Sequence, residues 1–275
     1  MRQQRRELRG QTALVPTLGG LHAGHLSLID GAKKQADHVL VSLFLNPTQF
    51  GTGEDYDTYP ADLKEDLNKC REAAVDGVFC PSVEEMYPLG QVACQVQVPD
   101  LGSDLEGKIR PGFFHGVCRV VTKLLNIMQP DIACFGKKDY QQLRVVEAMV
   151  ADLAMPIDIV PFPIVREADG LACSSRNINL STPDRKQATC LYKALCEAKI
   201  LIEDAVETNP QVIESAMHHV LGSHRAEVDY AVVRHRRTLA PLDCIDPSLT
   251  AGVVALVAAR VSDVRLIDNM EIGLR

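Results

Sequence analysis

The sequence predicts an α/β protein in which a doubly wound parallel sheet is followed by a second, smaller α+β domain. Two observations support this fold class. Short apolar runs of strand length recur along the first part of the chain, and segments with helical periodicity separate them. An alternation of strand, helix and strand is typical of a parallel sheet that helices cover on both faces.

The predicted strands of this sheet are the apolar runs 13–15, 39–45, 78–80, 132–135 and 157–160. Helices are predicted at 63–74, at 115–129 and from Asp139 onward. The clearest is 115–129, where apolar residues recur every three or four positions and so form one buried helix face. These helices would connect successive parallel strands.

The chain changes character after the helix-start signal at Ser181–Pro183. Long helical stretches at 184–207 and 212–221 are followed by short strands at 228–233, 253–257 and 264–267. We therefore predict a boundary near Leu180, with domains over 1–180 and 181–275.

Composition excludes several classes of protein. The 275 residues carry 29 Lys and Arg against 36 Asp and Glu, a net charge of −7 that argues against a nucleic-acid or anionic-membrane partner. The apolar runs are shorter than the roughly 20 residues that a membrane span requires. Nine scattered cysteines without a C-x-x-C pair indicate reduced thiols. We expect a cytoplasmic protein.

The strongest local motif is PTLGGLHAGH at 16–25, between the first predicted strand and a helix. Ligands bind at the carboxyl ends of strands in such sheets. Glycines let the backbone approach a phosphate, and the imidazoles of His22 and His25 can donate hydrogen bonds to its oxygens. A glycine-rich turn with two incidental histidines is the alternative for this motif taken alone.

Three further polar clusters follow predicted strands. They are Asn46–Gly51, Gly136–Gln142 with Lys138 and Asp139, and 166–177 with Ser174, Ser175 and Arg176. Amides suit hydroxyl or carbonyl groups, whereas lysine, arginine and hydroxyls suit phosphates. Singly, these clusters also fit a capped turn, a solvated corner and a polar loop. Their recurrence at successive strand ends favours a ligand site.

The acidic pair Glu65 and Asp66 is expected on a solvated helix face. Asp66 could also orient Mg²⁺ through water, because Mg²⁺ on nucleotides keeps several water ligands. Cys173 has no evident base beside it in the sequence, which argues against a nucleophilic thiol.

Taken together, these segments resemble the pantothenate synthetase family of the H-x-G-H nucleotidylyltransferases over nearly the whole chain. The matching motifs are VPTLG with His22 and His25, NPTQF at 46–50, Tyr59–Pro60, RPG at 110–112, 136–142, 165–177 and RLIDN at 265–269. The resemblance implies a Rossmann-like nucleotide domain, a small closing domain and a homodimer. It also implies ligation of pantoate to β-alanine with Mg²⁺ and ATP, through a pantoyl adenylate.

The resemblance further implies which residues act. His25, His22 and Lys138 take the catalytic roles, and Gln49, Gln142 and Asn46 bind pantoate. ATP is bound by Leu18, Gly19, Gly20, Leu21, His22, Ala23, Gly24 and His25, by Gly136, Lys137, Lys138 and Asp139, and by Val165, Cys173, Ser174, Ser175 and Arg176.

The chain departs from the family pattern at several positions, among them Thr48 beside the pantoate residues and Phe113, where a histidine is common. The family's opening strand and helix are also expected to be largely missing before Thr12. Two other functions therefore stay open. One is a nucleotide-binding pseudoenzyme of the same fold, and the other is a different small-molecule nucleotidylyltransferase.

Overall fold

The structure is a computed structural model that describes residues 1–89, 94–246, 248 and 252–273. Its larger sheet has five parallel strands in the order β3-β2-β1-β4-β5. The strands are β1 Thr12–Thr17, β2 His38–Leu43, β3 Gly77–Phe79, β4 Ile132–Gly136 and β5 Asp158–Phe162. Each coincides with a predicted strand, and the doubly wound parallel sheet is confirmed.

Helices surround this sheet. They are α1 Arg2–Glu7, α2 Ala23–Ala32, α3 Leu63–Glu72, α4 Val83–Met86, α5 Pro99–Gly102, α6 Glu106–Ile109, α7 Phe113–Met128 and α8 Tyr140–Asp152. The sequence patterns did not indicate α1, which precedes β1.

Both faces of the sheet are buried against helices. Alternate residues of a strand point to opposite faces. Leu14 of β1 packs into the apolar cluster formed with α7 and α8, whereas Ala13 and Val15 pack into the cluster formed with α2 and α3. Near-continuous apolar strands are the sequence pattern that this double burial requires.

The carboxyl-terminal part contains a three-stranded antiparallel sheet in the order β6-β7-β8. Its strands are β6 Glu227–His235, β7 Val253–Val261 and β8 Val264–Ile272, and its helices are α9 Thr182–Ala188, α10 Cys190–Glu203 and α11 Pro210–Ser223. The predicted α+β character is confirmed. The stretch predicted as one helix over 184–207 is two helices that meet at Thr189.

Backbone packing divides the chain into two compact units. The first comprises Met1–Lys137 and Gln141–Val165, and the second comprises Lys138–Tyr140 and Arg166–Arg275. This division lies before the boundary predicted near Leu180, because Leu171 is buried in the same apolar cluster as α10 and β7. No helix of the described residues is long and apolar enough to cross a membrane.

Candidate functional site

The H-x-G-H motif forms the turn between β1 and α2. The strand ends at Thr17, and Gly19 and Gly20 then take positive φ angles of 92° and 65° that favour glycine. These two residues reverse the chain so that His22 becomes the N-cap of α2. The predicted strand, turn and helix around this motif are therefore present.

The two imidazoles close the first turn of α2. The backbone N–H of Gly24 donates to Nδ1 of His22 at 3.1 Å, and the N–H of His22 donates to Nδ1 of His25 at 3.4 Å. The ring centroids are 4.1 Å apart. A neutral imidazole that accepts at Nδ1 carries its proton on Nε2. This arrangement gives both rings an Nε2–H donor, the group that a phosphate oxygen accepts from.

Asp66 on α3 lies directly against the same turn. Its Oδ2 accepts from the N–H of Gly20 at 2.8 Å, and its Oδ1 accepts from the N–H of Leu21 at 2.7 Å. The residue is 2% exposed, so the expectation of a solvated face at Asp66 is wrong. Helix periodicity could not reveal this, because the partner groups are backbone amides of a distant turn.

The segment after β2 is a short 3₁₀ turn, Pro47–Gln49, that Asn46 caps. Nδ2 of Asn46 donates to Oε1 of Gln49 at 3.0 Å and to the carbonyl oxygen of Gly116 at 3.2 Å. Oδ1 of Asn46 accepts from the backbone N–H and the hydroxyl of Thr48, at 3.3 and 2.9 Å. Asn46 and Gln49 are both buried, so their amides have fixed orientations.

Tyr87 belongs to this amide network, although the sequence patterns missed it. Its hydroxyl donates to Oδ1 of Asn46 at 2.8 Å, across 41 residues of chain. The Arg119 guanidinium stacks on its ring, 4.4 Å from the centroid. Burial raises the pKa of Tyr87, and its hydroxyl therefore remains a donor at neutral pH. No motif surrounds Tyr87 in the sequence.

Three of the predicted segments follow neighbouring strands of the first unit. The turn from Leu18 to His25 follows β1, the segment Asn46–Gln49 follows β2, and Gly136 and Lys137 lie at the end of β4. Since β2, β1 and β4 are adjacent and parallel, their carboxyl ends share one edge of the sheet. Gln142 lies half-buried in the first turn of α8 and Val165 lies half-buried after β5.

The other predicted residues, Lys138, Asp139, Cys173, Ser174, Ser175 and Arg176, belong to the second unit. Asn269 donates through Nδ2 to the carbonyl oxygen of Lys138 at 2.8 Å. The hydroxyl of Ser174 accepts from the N–H of Arg176 at 3.3 Å and so caps a short 3₁₀ turn. Burial raises the pKa of the Cys173 thiol, which keeps it uncharged.

A buried ion pair joins the loop before Cys173 to β8. Nη1 and Nη2 of Arg166 donate to the two carboxylate oxygens of Asp268 at 2.6 and 3.0 Å, and Nη2 also donates to the carbonyl oxygen of Asn269 at 3.2 Å. Burial raises the pKa of Asp268, whereas Arg166 acts in the opposite direction. The RLIDN motif thus holds both the Arg166 loop and Lys138, a role that the sequence alone did not reveal.

Comparisons with known proteins point to one family. The family model described as pantoate-beta-alanine ligase matches residues 1–271. Pantothenate synthetase of Laribacter hongkongensis is 46% identical over 97% of this chain and 95% of its own length. That of Aquifex aeolicus is 47% identical over 95% of this chain and 91% of its own length.

Solved structures agree with these relatives. The crystal structure of pantothenate synthetase from Thermus thermophilus has a TM-score of 0.92 and 43% identity, and the match covers 98% of this chain and 97% of that one. Pantoate-beta-alanine ligase from Francisella tularensis, complexed with beta-gamma ATP and beta-alanine, has a TM-score of 0.81 and 33% identity, covering 98% and 94%. The predicted resemblance is confirmed, and the chain belongs to the pantoate-beta-alanine ligase family.

Proposed function

We propose that this chain is the enzyme that joins pantoate to β-alanine at the expense of ATP and releases pantothenate, AMP and pyrophosphate. One observation in the structure supports the proposal most directly. Two imidazoles with Nε2–H donors stand at the carboxyl edge of a parallel sheet, beside a buried pair of amides after the next strand. Family membership supplies the identity of the substrates.

In the first half-reaction, a pantoate carboxylate oxygen attacks the α-phosphorus of ATP. The bond from the α-phosphorus to the bridging oxygen breaks, and pyrophosphate leaves with that electron pair. His22 and His25 stabilise the charge that develops on the leaving group by donating from Nε2. Lys138 adds a positive charge at the phosphates. The protein needs no nucleophile of its own, because both reactants are substrates.

We propose that pantoate is bound by the side-chain amides of Gln49, which is buried, and Gln142, which is half-buried. Oε1 of Gln49 already accepts from Asn46 at 3.0 Å, so Gln49 would meet a substrate oxygen through the N–H groups of Nε2. Gln142 supplies the second amide. Uncharged donors hold a hydroxy acid without neutralising the carboxylate that must attack.

In the second half-reaction, the amine of β-alanine attacks the pantoyl carbonyl carbon, and AMP leaves with the electrons of the acyl–oxygen bond. The neutral amine loses one of its two protons to solvent as the amide forms. The adenylate is a mixed anhydride, and its burial protects it from water. We further propose that three segments contact ATP. They are Leu18–His25, Gly136–Asp139, and Val165 together with Cys173–Arg176.

Magnesium is expected to enter with ATP. The described residues contain no cluster of three or more His, Cys, Asp or Glu side chains that could hold a metal ion. Both carboxylate oxygens of Asp66 already accept backbone N–H groups. The side chains therefore do not fit a protein cage for Mg²⁺. A homodimer and a cytoplasmic location are further proposals, supported by the family resemblance and by the cysteine pattern respectively.

The decisive experiment is pantoate-dependent exchange of labelled pyrophosphate into ATP, measured with Mg²⁺ and without β-alanine. Exchange is expected, because adenylate formation is reversible and needs only the first half-reaction. Adding β-alanine should then release pantothenate and AMP in equal amounts.

A protein that binds ATP but supports no exchange would contradict the proposal and favour a pseudoenzyme. Exchange with another acid or a mononucleotide, but not with pantoate, would favour a different nucleotidylyltransferase. A parallel ATP-binding measurement on the same preparation separates these outcomes from misfolding.

A further inference from the structure

Two side chains on one face of helix α3 form hydrogen bonds to the backbone of the H-x-G-H turn. Asp66 accepts from the backbone N–H groups of Gly20 and Leu21, as described above. Lys69, three residues later, donates through Nζ to the carbonyl oxygen of Leu21 at 2.7 Å. Residues three apart lie on the same helix face. Both polar groups of Leu21 are therefore held by α3.

The turn depends on this support, because its backbone has the conformational freedom of two consecutive glycines. Gly19 and Gly20 adopt positive φ, and glycine loses more backbone entropy on ordering than any other residue. The packing at Gly19 is also close. A Cβ at this position would lie 3.0 Å from Oδ2 of Asp66. The carboxylate thus fixes the direction of the Gly20 N–H within a pair of consecutive glycines.

The hydrogen bonds to Asp66 are charge-assisted and buried. Distances of 2.8 and 2.7 Å to a carboxylate that is 2% exposed are in the range of strong hydrogen bonds. The next residue along the chain is His22, whose own N–H and Nδ1 form the start of α2 with His25. A shift of the Leu21 peptide would therefore move both imidazoles together.

We propose that Asp66 is a positioning residue for His22 and His25, which fixes the turn before them, and is not a ligand of Mg²⁺. The inference rests on the proposed function for its kinetic consequences, but its geometric content is independent of the substrate. It replaces the magnesium role expected for Asp66 from the sequence.

The test compares Asp66→Asn with Asp62→Asn. An asparagine at 66 retains one acceptor oxygen but presents an NH₂ group to the second backbone N–H, so one hydrogen bond is lost. Asp62 is the exposed N-cap of the same helix, and its Oδ1 accepts from Lys64 and Glu65. The control therefore makes the same chemical change on α3 without touching the turn.

Three quantities are measured for each variant: the imidazole proton resonances of His22 and His25, the kinetics of pyrophosphate exchange, and the Mg²⁺ concentration for half-maximal rate. For Asp66→Asn we expect shifted imidazole resonances and a kcat about ten- to a hundred-fold lower. The KM for pantoate and the half-maximal Mg²⁺ concentration should stay within about two-fold of the wild-type values, because the amide site and the metal are untouched. Asp62→Asn should leave the imidazole resonances and kcat unchanged.

Two results would overturn the inference. One is a kcat within about two-fold of wild type for folded Asp66→Asn. The other is a raised Mg²⁺ requirement with unmoved imidazole resonances, which would identify a metal ligand. If Asp66→Asn does not fold, hydrogen exchange of the wild-type amides decides: Gly20 and Leu21 should be protected, and exchange at exposed-loop rates would refute the hydrogen bonds. Absence of pyrophosphate exchange in the wild type would count against the proposed function alone, since the resonances and amide protection are still measurable.

Discussion

The two ring nitrogens of His25 have different roles, so replacing the residue should affect both stability and turnover. Nδ1 helps to close α2, while Nε2 is the proposed donor to the leaving pyrophosphate. We expect His25→Ala to lower turnover about 10²-fold or more, the usual contribution of a general acid. The lost cap should cost only about 1 kcal/mol of stability. Pyrophosphate exchange and thermal unfolding measure the two effects separately.

His219→Ala is the matched control, since His219 is exposed on α11. It should leave both turnover and unfolding unchanged. Turnover of folded His25→Ala close to the wild-type rate would exclude the donor role.

The ion pair of Arg166 and Asp268 makes a prediction about stability and its pH dependence. Arg166→Ala leaves a buried carboxylate unpaired and should lower the free energy of unfolding by about 3 kcal/mol at neutral pH. Without the guanidinium, the pKa of Asp268 rises further above its usual range, because burial is then opposed by the N–H of Asn269 and the charge of Lys138 alone. Protonation of the folded variant removes the buried charge, so the deficit should shrink as the pH falls. Urea unfolding at neutral pH and near pH 5 measures this trend.

Arg185→Ala provides the comparison, because Arg185 pairs with the more exposed carboxylates of Glu167 and Asp169 in the same loop. Arg185→Ala should lower the free energy of unfolding by only about 0–1 kcal/mol. Equal losses for the two variants, or a deficit in Arg166→Ala that grows in acid, would be inconsistent with a buried pair.

At the scale of elements, helix α7 and the Pro47–Gln49 turn approach each other at Gly116. A Cβ on Gly116 would lie 2.1 Å from the carbonyl oxygen of Thr48 and 2.6 Å from the backbone nitrogen of Gln49. Gly116→Ala must therefore displace the turn. We expect about 1–3 kcal/mol of destabilisation and a KM for pantoate raised about ten-fold, with little change in the KM for ATP.

Gly222→Ala tests whether replacing any helical glycine would destabilise the protein and raise the KM for pantoate. Gly222 is exposed on α11, and nothing lies within 4 Å of the added Cβ. Alanine there should raise stability by about 0.5–1 kcal/mol and leave the kinetics unchanged. An unaltered KM for pantoate in Gly116→Ala would show that the turn does not bind pantoate.

The elements themselves could be predicted well from the sequence because their causes are local. Strands buried on both faces must be largely apolar, as β2 and β4 are, and α7 must place its apolar residues on one face. The functions of Asp66 and Gly116 could not be predicted in this way. Each depends on a contact with backbone atoms far away in the sequence, which side-chain patterns do not record. The role of Asn269, which donates to the backbone of Lys138, could not be predicted for the same reason, and that of Tyr87 depends on a side chain 41 residues away.

At the scale of the whole molecule, the chemical modification rates of the cysteines measure unfolding. Burial raises the pKa of Cys118 to about 11 and that of Cys134 to about 12, whereas Cys94 and Cys244 are exposed. At pH 8 we expect iodoacetamide to modify Cys94 and Cys244 while Cys118 and Cys134 stay unmodified until the first unit unfolds. Peptide mass spectrometry with and without urea follows each thiol. Modification of Cys134 as fast as Cys244 in the native protein would reveal a core that opens locally.

The hydrogen bond from Asn269 to Lys138 also has a consequence for the order of events during synthesis. Its two residues are 131 positions apart, so at about 5–20 residues per second the ribosome needs roughly 7 to 26 seconds to pass from one to the other. Throughout that interval the nascent chain already contains the H-x-G-H turn and Lys138, but not the amide that holds the lysine backbone. The hydrogen bond that holds the backbone of Lys138 can thus form only after Asn269 has been translated, and shorter nascent chains lack it.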